Sequence, residues 1–243
     1  MTAPVFLADS AAFTTGDLVL DGPEGRHAAT VRRLRAGERV DLTDGAGAVA
    51  ECVVADVLKD RLRLDVLKTY TVPAPAPRLI VVQGLAKGER GELAVEMMTE
   101  AGVDVIVPWS AARSITQWKG DKVAKGVGKW RATGREAGKQ ARRFHQVEIA
   151  DLHTTAQVAG LLGSAALGLI LHEEAARPLA GLELPAQGDI VVVVGPEGGV
   201  AEEEAERFTA AGAVPALLGD TVLRTSTAGV AAAAVIFART GRW

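Results

Sequence analysis

Four valines in succession, Val191 to Val194, constrain this 243-residue chain most tightly. β-Branched side chains suit a pleated strand, and a strand without polar alternation is one buried on both faces. The run breaks into Gly195-Pro196-Glu197-Gly198-Gly199. There glycine lets the backbone turn and leaves N–H groups unscreened, while proline fixes φ. Glu202, Glu203 and Glu204 then open a helix with their charges at its positive dipole end. A second apolar run closes at Leu223-Arg224-Thr225, ahead of an alanine-rich helix. Two such turns at the ends of neighbouring strands make a cradle for a small ligand.

The cradle lacks the usual nucleotide fingerprints. A Walker loop needs a Lys, and a dinucleotide loop needs G-x-G-x-x-G with an acid about twenty residues on; GPEGGV has neither. Acids at the helix start also repel phosphate. The ligand predicted is one with a ribose and a base but no phosphates. An ordinary tight strand-to-helix turn is the competing reading of the same residues.

Apolar strand patterns and helical patterns alternate from about residue 79 to the end, from LIVVQGL to STAGVAAAAVIFART. This rhythm predicts an α/β domain with a parallel sheet. Before it, VDLTDG, AVAECVVADVLKD and RLRLDVLKTY alternate around turns. They predict a small antiparallel β-domain, a partly closed barrel. TYTVPAPAPRL (69–79) reads as a short stiff linker. The expected division is 1–72, a linker over 73–78, and 79–243.

Composition excludes several classes. No apolar run approaches the ~18 residues of a membrane span, and no signal peptide is evident at the start of the sequence. Cys52 is the only cysteine, so no internal disulfide forms and a cytoplasmic setting is expected. His27, His145, His153 and His172 show no metal spacing, so no metal is expected. The net charge is −3, yet residues 113–143 carry +8, leaving −11 elsewhere. Arg131, Arg135, Lys139 and Arg142 are spaced to share one helical face, with Lys129 nearby. Arg26, Arg32, Arg33 and Arg35 form a second cluster. Two separated basic patches suit a folded RNA held at more than one place; a merely solvated helix face is the alternative.

Five segments in order carry a family resemblance: RHAATVRRLRAGERVDLTDGAG (26–47), LAKGERGELAVEMMTEAGVDVIVPW (85–109), KWRATGREAGKQARR (129–143), GPEGG (195–199) and LLGDTVLRTSTAG (217–229). Together they resemble the RsmE family of 16S rRNA uracil-N3 methyltransferases, in the SPOUT superfamily. The resemblance implies a PUA-like β-barrel that binds RNA, followed by a SPOUT methyltransferase domain with a trefoil knot. It implies S-adenosylmethionine as cofactor, 16S rRNA in the small ribosomal subunit as substrate, and a homodimer.

The resemblance also implies site residues. Adenine and ribose would lie against Leu171, His172, Glu173, Gly195, Pro196, Glu197, Gly198, Leu218, Gly219 and Leu223. Thr225, Ser226 and Thr227 suit helix capping, and any one of them can also reach the methionine end. Arg224 is the candidate catalytic residue, stabilising charge on the uracil oxygens as the N3 proton leaves; tying the loop to a carboxylate or second subunit is its alternative role. Glu197 reads as structural rather than as a general base. Relatives often carry GPEGGFS and LRTETA where this chain has Val200-Ala201 and Ser226; the second change removes an acid near the site. Two other functions fit: a SPOUT methyltransferase for another RNA such as tRNA, and a non-catalytic RNA-binding protein of ribosome assembly.

Overall fold

A computed structural model describes residues 3–13 and 16–243. The chain forms two compact units: residues up to 74 together with 138–146, and residues 75–137 together with 147–243.

In the first unit, β1 (Val5–Leu7), β2 (Gly16–Leu20), β3 (Arg39–Thr43), β4 (Ala48–Leu58) and β5 (Arg61–Thr71) pair in the order β1-β3-β4-β5-β2. Every second residue of the β4–β5 hairpin turns inward: Ala50, Cys52 and Val54 face the core with Leu62, Leu64 and Val66. The sheet is mixed rather than wholly antiparallel, because β1 runs parallel to β3. The chain reaches β3 only after β2 has joined β5 at the opposite edge. Cys52 is 0% exposed, and burial pushes its thiol up to about 12; such a thiol is no nucleophile.

A short helix, α1 (Gly22–Arg26), brings Glu24 inside this unit, where its Oε1 lies 3.1 Å from Lys139 Nζ. Both side chains are buried, and a buried carboxylate needs such a partner. Phe144, His145 and Gln146 then bond to Thr43, Val72 and Gly45. These contacts bring 138–146 into the first unit.

The second unit holds β6 (Arg78–Gly84), α2 (Arg90–Ala101), β7 (Val105–Trp109), the start of α3 (Asp121–Gln140), β8 (Glu148–Ile149), α4 (Thr155–Ser164), β9 (Leu167–Leu171), β10 (Asp189–Val194), α5 (Glu202–Ala210), β11 (Val214–Ala216) and α6 (Thr225–Thr240). Its six strands are all parallel, in the order β11-β9-β10-β6-β7-β8. β10 lies between β9 and β6, and each of Ile190 to Val194 is at most 2% exposed. Ile190, Val192 and Val194 join the cluster beneath α2 and α6, and Val191 and Val193 join the one containing Val158 of α4 and Phe208 of α5. Each such buried valine contributes about 1.5–3 kcal/mol.

Helix α6 reaches the sheet through small residues. A Cβ on Gly229 would lie 2.5 Å from Met98 Sδ of α2, so a side chain there would have to displace the buried Met98. Just beyond α6, Arg242 forms a two-pronged pair with Asp104, at 2.6 and 3.1 Å. It also donates to Pro77 O and Gly102 O and covers the Phe237 ring. Asp104 accepts in turn from Leu79 N. The end of α6 is thus fastened to the start of the central strands. Arg242→Ala should cost about 3–5 kcal/mol, because Asp104 would lose its buried counter-charge. Urea unfolding with an unchanged m-value would report it.

Candidate active site

The carboxyl ends of β9, β10 and β11 open into a cleft of about 710 Å³. Its floor is the turn after β10. Gly199 adopts φ +73°, a conformation open to glycine, and donates to Pro196 O at 2.9 Å. The loop lies so close to β6 that a Cβ on Gly84 would meet the Pro196 nitrogen at 2.7 Å. Pro196 and Val200 are buried, while Glu197, Gly198 and Gly199 form the exposed tip.

One hydroxyl joins three elements here. Thr225 Oγ1 donates to Gly195 O at 2.7 Å and accepts from Gln83 Nε2 at 2.8 Å. It links the first residue of α6 to the turn after β10 and to the end of β6. Both side chains are buried, and Gln83 Oε1 has no hydrogen-bond partner. The sequence reading missed Gln83. Its signal was a single amide inside the otherwise apolar LIVVQGL.

The second wall is the segment from Leu217 to Arg224. Leu217 is held by backbone bonds to Arg177 and Leu179, both 2.8 Å. Beyond it, among the described residues, no N–H from Leu218 to Leu223 donates to a backbone carbonyl. Val222 and Leu223 are 77% and 39% exposed. This wall offers apolar surface beside open backbone donors, the combination that grips a flat heteroaromatic ring.

All the expected cofactor residues except Thr227 line the cleft, as does Arg224. Thr227 turns back, its hydroxyl donating to Arg224 O at 3.1 Å. The capping expectation is corrected: the N-cap of α6 is Arg224, and no side chain caps it. The Thr225 hydroxyl is taken up by Gly195 and Gln83 instead. Arg224 is exposed, and its guanidinium makes no hydrogen bond or ion pair among the described residues. Glu197 does not bond its own loop: its Oε1 accepts from Lys87 N at 3.0 Å and lies 3.6 Å from Arg90 Nη1. Glu204 accepts from Ala112 N, Thr155 Oγ1 and Ala201 N, which anchors the start of α5.

The basic residues fare unevenly. Arg26, Arg32, Arg33 and Arg35 are exposed in the first unit, with Arg33 at φ 54°. Lys129 pairs with Glu92 and Arg131 with Asp151, each at 2.9 Å on an exposed surface, where such pairs are weak and exchangeable. Arg135 is exposed. The single four-residue face is corrected: Lys139 is buried against Glu24, and Arg142 lies past the end of α3 at φ 57°. No group of three or more His, Cys, Asp or Glu among the described residues has metal-binding geometry, and no described helix is long and apolar enough to cross a membrane.

Comparison with known proteins identifies the family. A family model described as an RNA methyltransferase domain matches residues 73–237, and one described as an RNA methyltransferase PUA domain matches residues 20–67. Ribosomal RNA small subunit methyltransferase E of Mycobacterium bovis is 43% identical over 100% of this chain and 94% of its own length. The Bacillus subtilis protein of that name is 28% identical over 86% of this chain and 85% of its own. The crystal structure of the Neisseria gonorrhoeae enzyme, bound to S-adenosyl methionine, superposes with a TM-score of 0.85 at 26% identity, covering 98% of both chains. The chain belongs to the RNA methyltransferases and, within them, to the ribosomal RNA small subunit methyltransferase E family.

Thr225→Val keeps the shape but removes the hydroxyl, leaving Gly195 O without that donor and Gln83 Nε2 with only the 3.3 Å bond to Gly84 O. It should cost about 1–3 kcal/mol of stability and weaken cofactor binding by clearly more than Arg224→Ala does. Calorimetric titration with S-adenosylmethionine checks this; unchanged affinity would mean that the Gly195 turn needs no tie to α6.

Proposed function

We propose that this protein transfers a methyl group from S-adenosylmethionine to N3 of a uridine in 16S rRNA of the small ribosomal subunit. The observation that carries this reading is the cleft itself: a phosphate-free cradle with a free arginine, Arg224, at its mouth. The cleft suits the cofactor. Leu218, Val222 and Leu223 can flank adenine, open backbone groups of 218–223 can read its edge, and Glu173 and Asp220 line the same cleft. Its volume lies in the range of sites for molecules of that size. S-Adenosylmethionine, when bound, supplies an electrophilic methyl carbon on a sulfonium.

The chain's own residues then have two tasks. They hold the two reactants in line, a task for the loops at 195–199 and 217–224, the first tied to Thr225 and the second held at Leu217. They also stabilise the charge left on uracil O2 and O4 when the N3 proton passes to water or hydroxide, a task that suits the unpaired guanidinium of Arg224. With Glu197 engaged by Lys87 and Arg90, a positioning role fits it better than that of base.

The same reading covers the architecture. β11 lies at the sheet edge, yet α6 packs against α2 near the centre. Between them the chain passes beside 177–179, and Arg239 of α6 donates to Leu179 O and Leu182 O. We take this passage to be the threading of a trefoil knot. The first unit is read as a PUA-like barrel that binds RNA through Arg26, Arg32, Arg33 and Arg35, with Lys129, Arg131 and Arg135 adding contacts. A homodimer acting in the cytoplasm completes the proposal.

Small subunits from cells lacking the protein, incubated with purified protein and methyl-labelled cofactor, should yield N3-methyluridine at one 16S rRNA site. Label in tRNA, or none, would overturn the assignment. Arg224→Ala should lower kcat by about 10²–10³ while cofactor affinity stays within about threefold; wild-type turnover would remove Arg224 from the chemistry.

A further inference from the structure

The cleft is electrically divided along the sheet. Three acids and three arginines line it: Glu173, Glu197 and Asp220, with Arg90, Arg113 and Arg224. Strand order separates two of the acids from two of the arginines, while Glu197 sits on the loop after β10 beside Arg90 and Arg224 follows β11. Glu173 follows β9 and Asp220 follows β11, both on one side of β10; Arg90 follows β6 and Arg113 follows β7, both on the other.

Arg90 and Arg113 both reach the exposed tip of the loop after β10. Arg90 Nη1 lies 3.6 Å from Glu197 Oε1, and Arg113 Nη1 donates to Gly198 O at 3.3 Å. A Cβ on Gly198 would sit 3.0 Å from Arg113 Cβ, so Gly198 is what lets Arg113 lie against the loop. Each guanidinium spends one edge on the loop and keeps other N–H groups, since five donors are available. Arg113 is exposed, and Arg90 is half-buried with 42% of its side chain accessible.

A cofactor without phosphates offers this wall one anionic group, its α-carboxylate, which two arginines exceed. The sulfonium and the amino group of S-adenosylmethionine are cationic, and its ribose hydroxyls suit carboxylates, so the Glu173 and Asp220 side matches it. Two arginines at a loop tip match an anion arriving from solvent, and planar guanidinium donors suit phosphate oxygens.

We propose that Arg90 and Arg113 form a seat for an RNA phosphodiester next to the target nucleotide, held to the cofactor loop through Glu197 and Gly198. This rests on the methyltransferase reading above. The seat lets the loop that shapes the cofactor cleft also fix the register of the RNA entering it. Phosphate contacts of this kind position a substrate without reading its sequence.

The test is binding of the full-length protein to isolated small subunits across a salt series, with S-adenosylhomocysteine present so that no turnover occurs. Arg113→Gln and Arg90→Gln should each bind several-fold more weakly and lower the slope of log K against log salt by about one. Arg207→Gln, on exposed α5, serves as the charge control and should leave the slope unchanged. S-Adenosylmethionine affinity, titrated separately, should fall much less than subunit affinity in both variants. An unchanged slope would overturn the seat. So would a parallel loss of cofactor affinity, which would place the arginines on the cofactor's carboxylate. Wild-type protein that binds subunits but methylates nothing would sink the enzymatic reading and leave the slope comparison intact.

Discussion

A strand with no solvent on either face has to be covered twice, and the architecture of the second unit follows from that demand on β10. Helices α2 and α6 close one side of the sheet and α4 and α5 the other. Every connection then leaves the carboxyl ends of the parallel strands at one edge, where backbone groups have no ladder partner. Such an edge is where open α/β sheets bind ligands. The chain turns it into a cleft by bringing α6 back under the centre of the sheet and fastening it there, at Thr225 in front and at Arg242 behind.

Those two fastenings divide the work. Arg242 and Asp104 are remote from the cleft, and their pairing concerns stability. Thr225 sits at the cleft, where one hydroxyl sets the spacing between the turn after β10 and the start of α6. Arg224 immediately precedes it and is therefore held at the mouth by backbone alone. A guanidinium positioned in this way, without a carboxylate partner, is consistent with the role proposed for Arg224.

Much of this was legible in the sequence, for reasons that can be named. Val191 to Val194 announce a doubly buried strand because no other element tolerates four β-branched residues so well. Gly195 to Gly199 announce a turn with open amides because neither glycine nor proline suits a helix or a central strand. Both signals are local. What escaped was long-range. Lys139 reads as one more cation on a basic face until Glu24, 115 residues away, is found beside it. The Thr225 hydroxyl reads as a cap until Gly195 and Gln83 arrive from other strands. The parallel pairing of β1 was equally hidden, since three residues carry no record of direction. Arg90 and Arg113 went unremarked as a pair because only the sheet order places both on one side of β10.

The most direct test of the account is amide hydrogen exchange with and without S-adenosylmethionine. The tied loops at 195–199 and 217–224 should gain protection together, with the first turn of α6 and little change in the first unit. Protection centred elsewhere, or on only one of the two loops, would contradict a cofactor site built by their apposition.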